Sequence, residues 1–348
     1  MMVELMKKIL IIGPKIDNPT KSLTGPERVF ENITKNITSS MVVVSYRQLF
    51  CIIKYILLNR VSTVHIFGFT RVNVMALVLA KIMQKKVFYT MNGLVSRESI
   101  FFKGKYNKFH YLIEKILLTR ANKIICVSTG LKKMVIEDYG INDAKIQVIP
   151  NGVDNLFLEE KNEEILNSQI AFKNNDHKKI IFTASGTAIY KGIFPLVKVI
   201  SEIERDDFIF VIAGPKGNAH EDVVDLIDNK KIYYVGNLNQ KELINTYYNS
   251  YVYIQNSFYE TFGLAPLEAM AVGTPIIVSE NVQMSYLLEG SELKNFIVKN
   301  EEELKEKIIF LLDNPDASIK LKDEAKKIAA NNTWDNVRSQ YEKLWSIL

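Results

Sequence analysis

Short apolar runs alternate with segments of helical period along almost the whole chain. In the first half these runs cover residues 8–12, 41–45, 63–67, 87–90, 123–127 and 147–149, and in the second half residues 179–184, 208–213, 232–235, 252–255 and 275–278. Helical patterns lie between them, over residues 28–37, 72–83, 105–119, 193–203, 241–248, 265–271 and 301–312. Continuous apolar strands that alternate with helices predict βαβ units and parallel sheets buried on both faces.

A polar, charged stretch at 155–178 interrupts this pattern. The 348 residues of the chain also exceed what one ordinary hydrophobic core organises. We therefore predict an α/β protein with two doubly wound domains, residues 1–157 and 158–332. Ligands of open α/β sheets bind beyond the carboxyl ends of the strands, so two facing domains predict a central cleft lined by loops of both.

The charge is distributed unevenly between the two halves. Residues 1–157 hold 23 Lys and Arg against 10 Asp and Glu, a formal charge of +13, whereas the remainder carries −8. Nine of these cations fall within residues 97–133, among aromatic side chains. Such a region fits the surface of an anionic membrane, and an ordinary solvated helix face is the alternative. Because no recognition motif accompanies the charge, nucleic acid is a poor alternative partner.

The sequence predicts neither a metal site nor a membrane-spanning segment. Cys51 and Cys126 are far apart, and the four histidines lack the spacing of metal ligands, so we predict no metal site. No apolar run approaches the roughly 20 residues that span a bilayer. We therefore expect a cytoplasmic protein, with peripheral contact at the inner face of the plasma membrane.

The segment 257–278 carries the most chemistry. It follows a predicted strand and opens a predicted helix, with Glu260 before Gly263 and Glu268 inside the helix. A glycine allows close approach of the backbone to a ligand, and the first N–H groups of a helix favour phosphate. A carboxylate at a helix N-terminus can also simply stabilise the helix dipole, which is the alternative for Glu260.

This segment closely resembles the E-x7-E segment of retaining glycosyltransferase family 4, the group 1 glycosyltransferases. Residues 121–128 and 149–154 are similar to the strand and the P-N-G-V-D motif at the family's domain junction. The resemblance implies the GT-B fold, in which two Rossmann-like domains face a central cleft. It also implies that residues 333–348 form a C-terminal helix that returns to the first domain.

The resemblance also implies roles for individual residues. Glu268 would bind the ribose of the donor nucleotide, and Glu260 would contact the donor sugar near the reacting carbon. Backbone N–H groups at Phe262, Gly263 and Leu264 would hold the sugar and diphosphate. The donor would be a nucleotide sugar, UDP- or GDP-linked, which is a substrate, so no cofactor is expected.

A second motif, residues 184–192, follows a predicted strand and resembles the family's diphosphate loop. Gly186 and Lys191 fit that loop, and Lys191 would stabilise the negative charge on the leaving diphosphate. Thr187 stands where the family usually has Arg. Either Lys216, in the loop that begins at Gly214, or Arg97 could supply the missing cation.

The first domain adds further candidates. Gly25 lies in a segment that resembles the family's glycine-rich loop, and Asn92 stands where the family often has a His that contacts the donor sugar. Asn92 can hydrogen-bond a hydroxyl, but it cannot act as an acid or base near neutral pH. Arg97 and Lys103 are candidates for binding the acceptor.

These observations predict a retaining, metal-independent glycosyltransferase. It would move a hexose from a UDP- or GDP-sugar to a hydroxyl of a lipid-linked glycan in the synthesis of cell-surface polysaccharide. Two alternatives stay open. One is a non-catalytic subunit that binds nucleotide sugars, suggested by Thr187 and Asn92. The other is a GT-B enzyme of another reaction type, such as a sugar-nucleotide epimerase or a glycogen- or sucrose-type synthase.

Overall fold

The computed structural model describes residues 9–14, 24–35, 41–58, 61–102, 104–159 and 178–346. The chain divides into two units. Residues 1–151 and 334–348 form the first unit, and residues 152–333 form the second. The division after Asn151 lies six residues before the boundary predicted at residue 157.

The first unit contains a parallel six-stranded sheet, in the order β2-β1-β3-β4-β5-β6. All neighbouring strands pair in parallel, as the continuous apolar runs predict. The strands are β1 (Ile9–Gly13), β2 (Met41–Ser45), β3 (Thr63–Phe67), β4 (Lys86–Met91), β5 (Lys123–Cys126) and β6 (Ile146–Val148).

Six helices of the described residues connect these strands, and several begin at a polar cap. Thr70, Asn107 and Ser128 each accept a hydrogen bond from a backbone N–H of the first helical turn, which satisfies a donor that lacks an intrahelical partner. Asn107 thereby fixes the start of its helix at Lys108, three residues beyond the predicted start at 105. The helices are α1 (Gly25–Thr34), α2 (Leu49–Leu57), α3 (Arg71–Ile82), α4 (Val95–Phe101), α5 (Lys108–Arg120) and α6 (Thr129–Tyr139).

The closing helix (Trp334–Ser346) belongs to the first unit and packs against α1. The indole Nε1–H of Trp345 donates to Nδ1 of His65 on β3 at 2.8 Å. That bond requires Nδ1 to be the acceptor, so Nε2 carries the proton and donates to Oγ1 of Thr90 at 2.8 Å. The hydroxyl of Tyr341 lies 3.3 Å from the same Thr90 oxygen. This buried polar chain attaches the closing helix to β3 and β4.

The second unit contains another parallel six-stranded sheet, in the order β12-β11-β10-β7-β8-β9. Its strands are β7 (Lys179–Thr183), β8 (Phe208–Ala213), β9 (Ile232–Gly236), β10 (Val252–Gln255), β11 (Ile276–Ser279) and β12 (Ile297–Val298). The structure adds β12 to the five strands predicted here. Two doubly wound α/β units are thus confirmed.

Among the residues that the structure describes, the helices of the second unit are α7 (Ile193–Ser201), α8 (His220–Val224), α9 (Gln240–Asn249), α10 (Leu264–Ala271), α11 (Glu301–Asp313) and α12 (Pro315–Asn331). The core is continuous through the central strands, since every residue of β8 and β10 is buried. Helix α10 is also buried from Pro266 to Ala271, and it packs against α12.

Candidate functional site

The order of the second sheet reverses between β7 and β10. From β7 the chain continues outward through β8 and β9, whereas β10, β11 and β12 extend in the opposite direction. The loops that follow β7 and β10 therefore start side by side at the carboxyl edge and lead the chain in opposite directions. Such a topological switch point is where open α/β sheets bind ligands.

The loops after β7 and β8 are in direct backbone contact at two glycines. A Cβ atom on Gly186 would lie 2.4 Å from the carbonyl oxygen of Pro215, and one on Gly214 would lie 2.6 Å from the amide nitrogen of Gly186. Both glycines also have positive φ, 62° and 116°. Only glycine permits this close approach without moving one of the loops.

Thr187 connects the same two loops. Its side chain is fully buried, and Oγ1 accepts the backbone N–H of Gly217 at 2.8 Å. Its own N–H donates to the carbonyl of Pro215 at 3.1 Å, and its carbonyl accepts from Ala219 at 2.9 Å. Thr187 thus fixes the β8 loop beside the β7 loop. Lys216 is exposed and lies between Pro215 and Gly217, two of the residues to which Thr187 is hydrogen-bonded.

Lys191 and Glu260 form an ion pair across the switch point, with Lys191 Nζ donating to Glu260 Oε2. Their side chains are 18% and 20% exposed, so both groups can still reach a ligand. Burial alone would lower the pKa of Lys191, but the Glu260 carboxylate and Tyr190 together outweigh burial, and the pKa is raised. Lys191 is therefore a permanent cation at this edge.

Backbone bonds fix the relative position of these two side chains. The carbonyl of Tyr190, next to Lys191, accepts the N–H of Phe258 at 2.9 Å. The side-chain amide of Asn256 donates to the carbonyl of Gly192 at 3.3 Å. Tyr190 and Asn256 were not predicted from the sequence, because main-chain contacts between distant loops leave no compositional signal.

The segment that contains Glu260 is also hydrogen-bonded to the chain that follows β11. The carbonyl of Glu260 accepts the N–H of Gln283 at 3.2 Å, and that of Phe262 accepts the N–H of Met284 at 2.7 Å. Gly263, at φ 107°, then turns the chain into α10. The N–H group of Leu264 opens α10 and therefore has no intrahelical acceptor. The structure thus places backbone donors of a helix N-terminus beside the Lys191–Glu260 pair.

Glu268 lies in the second turn of α10 and is only 6% exposed. The hydroxyl of the buried Tyr247 donates to its Oε2 at 3.4 Å. Tyr247 itself is held by the hydroxyl of Thr274, which donates to its carbonyl at 2.6 Å. A carboxylate supported in this way is fixed in position, and carboxylate oxygens accept hydrogen bonds from hydroxyl donors.

The candidates of the first unit have separate surroundings. Gly25 is the first residue of α1, preceded by Thr24, whose N–H and hydroxyl both donate to Glu27 Oε2. Asn92 directly follows β4 and is half-buried. Arg97 makes a two-pronged contact with Asp138, through Nε at 2.9 Å and Nη2 at 2.7 Å. Lys103 lies outside the described residues.

Neither a metal-binding cluster nor a membrane-spanning helix is found among the described residues. Across the described ranges, no cluster of three or more His, Cys, Asp or Glu side chains is arranged to hold a metal ion. None of the described helices is both long enough and apolar enough to cross a membrane.

Two family models match successive parts of the chain. Residues 20–155 match the model described as Glycosyltransferase Family 4, and residues 165–328 match the model described as Glycosyl transferases group 1. The second match contains Lys191, Glu260 and Glu268. The two matches together account for most of the sequence.

Individual relatives agree with the family models. The uncharacterized glycosyltransferase MJ1607 of Methanocaldococcus jannaschii is 31% identical over 184 residues, 50% of this chain and 46% of the relative. The O-antigen chain mannosyltransferase RfbU of Salmonella typhimurium is 28% identical over 174 residues, 49% of this chain and 46% of the relative. The matches thus span about half the length of these relatives.

The crystal structure of Anabaena Alr3699/HepE in complex with UDP has a TM-score of 0.79 to this chain at 14% identity. The superposition covers 98% of this chain and 100% of the Anabaena chain. At that level of identity the likeness concerns the fold, which is GT-B. With both family models matched in sequence order, the chain belongs to the group 1 glycosyltransferases.

Proposed function

We propose that this chain transfers a sugar from a UDP- or GDP-sugar to a hydroxyl of a lipid-linked glycan, with retention of configuration and without a metal ion. The single observation that carries the proposal is the Lys191–Glu260 ion pair at the switch point, beside the N-terminus of α10. It places a cation, a carboxylate and backbone N–H donors together where a sugar diphosphate would bind.

In this proposal, the nucleotide occupies the side of the site formed by α10. Glu268 accepts hydrogen bonds from the ribose hydroxyls, supported by Tyr247. The diphosphate lies against the first turn of α10 and against Lys191. The Anabaena neighbour was solved with UDP, which supports a nucleotide-sugar donor for this chain.

The transfer step breaks the bond between the anomeric carbon and the diphosphate oxygen, and the acceptor hydroxyl oxygen bonds to the same face of that carbon. The hydroxyl proton passes to the leaving diphosphate, so no protein base is required. Lys191 and the α10 N–H groups stabilise the negative charge that develops on the diphosphate. Glu260 orients both the sugar and Lys191. Lys216, exposed beside Thr187, supplies a second cation.

The acceptor class rests on the relatives. The Salmonella relative is named as an O-antigen chain mannosyltransferase, which supports a glycan acceptor in polysaccharide synthesis. We assign acceptor contacts to Arg97 and Lys103. Arg97 is already oriented by Asp138, so a bound anion would find its guanidinium in a fixed position.

Thermal-shift measurements with UDP, GDP and their sugars test the donor assignment, because a ligand that binds only the folded state raises Tm. Nucleotide release is then measured with and without a lipid-linked glycan fraction. Release that depends on the acceptor supports the proposal. Tight donor binding without turnover on any acceptor would instead indicate a non-catalytic subunit. A changed sugar nucleotide without any acceptor would indicate an epimerase.

A further inference from the structure

The outward face of α3 is apolar, which is unusual for a surface helix. The exposed positions are Arg71, Met75, Val78 and Ile82, which follow the i, i+4, i+7, i+11 spacing of one helical stripe. Ile82 is 70% exposed, and Met75 and Val78 are each about half exposed. The opposite side of α3 is buried on the sheet, so α3 is apolar on both sides. A surface helix normally has charged and polar residues on its outer face.

The neighbouring helices extend the same surface, because α3 packs between α2 and α5. On α2, Phe50 is 89% exposed, and Leu57 is exposed about two helical turns further along the same side of the helix. On α5, Phe109 and Leu112 are exposed. We name these three outward stripes the α2–α3–α5 face. An apolar surface shared by three adjacent helices marks an interaction site rather than scattered exposure.

The charges on this face have one sign. The three helices, which the structure describes throughout, contain a single acidic residue, Glu114, and it is fully buried. The exposed cations of these helices are Lys54, Arg71, Lys108, Lys115 and Arg120. The guanidinium of Arg71 lies 4.7 Å above the ring of Phe109, so cationic and aromatic groups are interleaved.

We propose that the α2–α3–α5 face binds the surface of an anionic lipid bilayer. Apolar side chains between cations match an interface in which acyl chains lie below anionic headgroups. A second copy of the chain is a poorer occupant, because pairing two such faces would oppose cation with cation. The region 97–133 indicated by the sequence overlaps this face only at α5.

The position of the face relates it to the reaction. The N-termini of α2 and α3 lie at the carboxyl edge of the first sheet, because each of these helices directly follows a parallel strand, and α3 packs against α5. Asn92 follows β4 at that same edge. A bilayer on the α2–α3–α5 face therefore adjoins the edge at which an acceptor carried by a lipid would enter the first unit.

Flotation with vesicles tests the proposal, using the full chain and two vesicle compositions, phosphatidylcholine alone and phosphatidylcholine with phosphatidylglycerol. We expect binding only to the second, with loss at high salt. The variant Met75→Gln/Val78→Gln/Ile82→Gln changes exposed positions to a good helix former, so it keeps the fold. We expect its partition coefficient to fall at least about tenfold. The partition coefficient of a second variant, Lys54→Gln/Lys108→Gln/Lys115→Gln, should fall by a similar factor.

The matched control is Ile319→Gln/Lys320→Gln/Lys322→Gln on α12, which removes an exposed apolar residue and two exposed cations from the second unit. It should bind vesicles like the wild type. Equal losses in the control and the α3 variant would overturn the proposal. So would a wild-type dimer that the α3 variant converts to a monomer, since the face would then pair with a second copy. Vesicle binding is measured without donor or acceptor, so its failure is distinct from failure of the proposed transfer.

Discussion

Lys191 Nζ donates to the carboxylate of Glu260, and this contact joins the loops that leave β7 and β10 in opposite directions. The two residues are 69 positions apart in the sequence. Each side chain therefore fixes the position of the other, and Glu260 helps to keep Lys191 charged. A substrate diphosphate would meet an ammonium that is already oriented, and orientation before binding lowers the cost of stabilising charge in the transition state.

Replacing Lys191 by Met should lower kcat by about 10²–10³, because it removes a cation that contacts the charge developing on the diphosphate. Glu260→Gln should also lower kcat, with a smaller effect on KM, since it weakens the orientation of Lys191 and of the sugar. Steady-state nucleotide release measures both.

The control for Lys191→Met is Lys198→Met, which removes an exposed cation from α7. It should retain wild-type kinetics. An unchanged kcat in Lys191→Met would contradict the assignment of Lys191 to the leaving group.

Glu268→Gln should raise the Kd for the nucleotide about tenfold or more, because hydrogen bonds to a charged carboxylate contribute about 1.5–3 kcal/mol. Titration calorimetry with UDP and GDP measures this change. The exposed Glu280→Gln is the matched control and should bind nucleotide normally. If Glu268→Gln binds as tightly as the wild type, Glu268 does not contact the ribose.

Thr187→Val should loosen the β8 loop. Valine keeps the shape of threonine but leaves the part-buried N–H of Gly217 without its acceptor, which costs on the order of 1 kcal/mol. Hydrogen exchange of residues 214–219 should therefore be faster in this variant. Thr187→Ser retains the hydroxyl and should exchange at a rate close to that of the wild type. Equal rates in the Val and Ser variants would show that the hydroxyl does not hold the loop.

The sequence predicted the strands of the fold because parallel sheets bury continuous apolar runs, and these runs are visible without any knowledge of contacts. It missed β12, which has two residues and is too short to show a period. It also placed the start of α5 too early, since the capping bond of Asn107 cannot be distinguished from other polar contacts by spacing alone.

The sequence predicted the individual residues of the candidate site but not the contacts between them. Glu260, Glu268 and Lys191 were identified from local motifs. The ion pair between Lys191 and Glu260 was not, because it depends on which strands are neighbours in the sheet. The hydrogen bonds that Thr187 makes with the β8 loop were also not visible, because its partners there are backbone groups, which leave no signal in the sequence.

The pKa of Glu114 predicts a pH dependence for the first unit. Burial raises this pKa from 4.5 to about 7, although the hydroxyl of Tyr139 and the N–H of Val95 act in the opposite direction. The folded state therefore binds more protons than the unfolded state between these values. Stability from Glu114 is present below pH 4.5 and is lost as the pH rises to 7, by up to about 1.4 kcal/mol per pH unit.

Glu114→Gln should remove this loss. The difference in unfolding free energy between wild type and variant should change between pH 4.5 and 7 and be constant at higher pH. The chain has two tryptophans, Trp334 and Trp345, both buried in the closing helix, so fluorescence reports unfolding of the first unit. A difference that is constant from pH 4.5 to 7 would contradict the raised pKa.

His65 should produce the opposite pH dependence. Burial lowers its pKa from 6.5 to about 3, so below pH 6.5 the unfolded state binds a proton that the folded state excludes. The first unit should therefore lose stability as the pH falls from 6.5 towards 3, by up to about 1.4 kcal/mol per pH unit. Between pH 4.5 and 6.5 this slope opposes that of Glu114, and below pH 4.5 it acts without Glu114.

His65→Gln should lower stability at all pH values, because it loses the contact with Trp345 and the ring packing. Its denaturation midpoint, followed by tryptophan fluorescence, should nevertheless fall less steeply than that of the wild type from pH 4.5 to 3. Parallel slopes for the two proteins in that range would show that His65 is not held neutral by the fold.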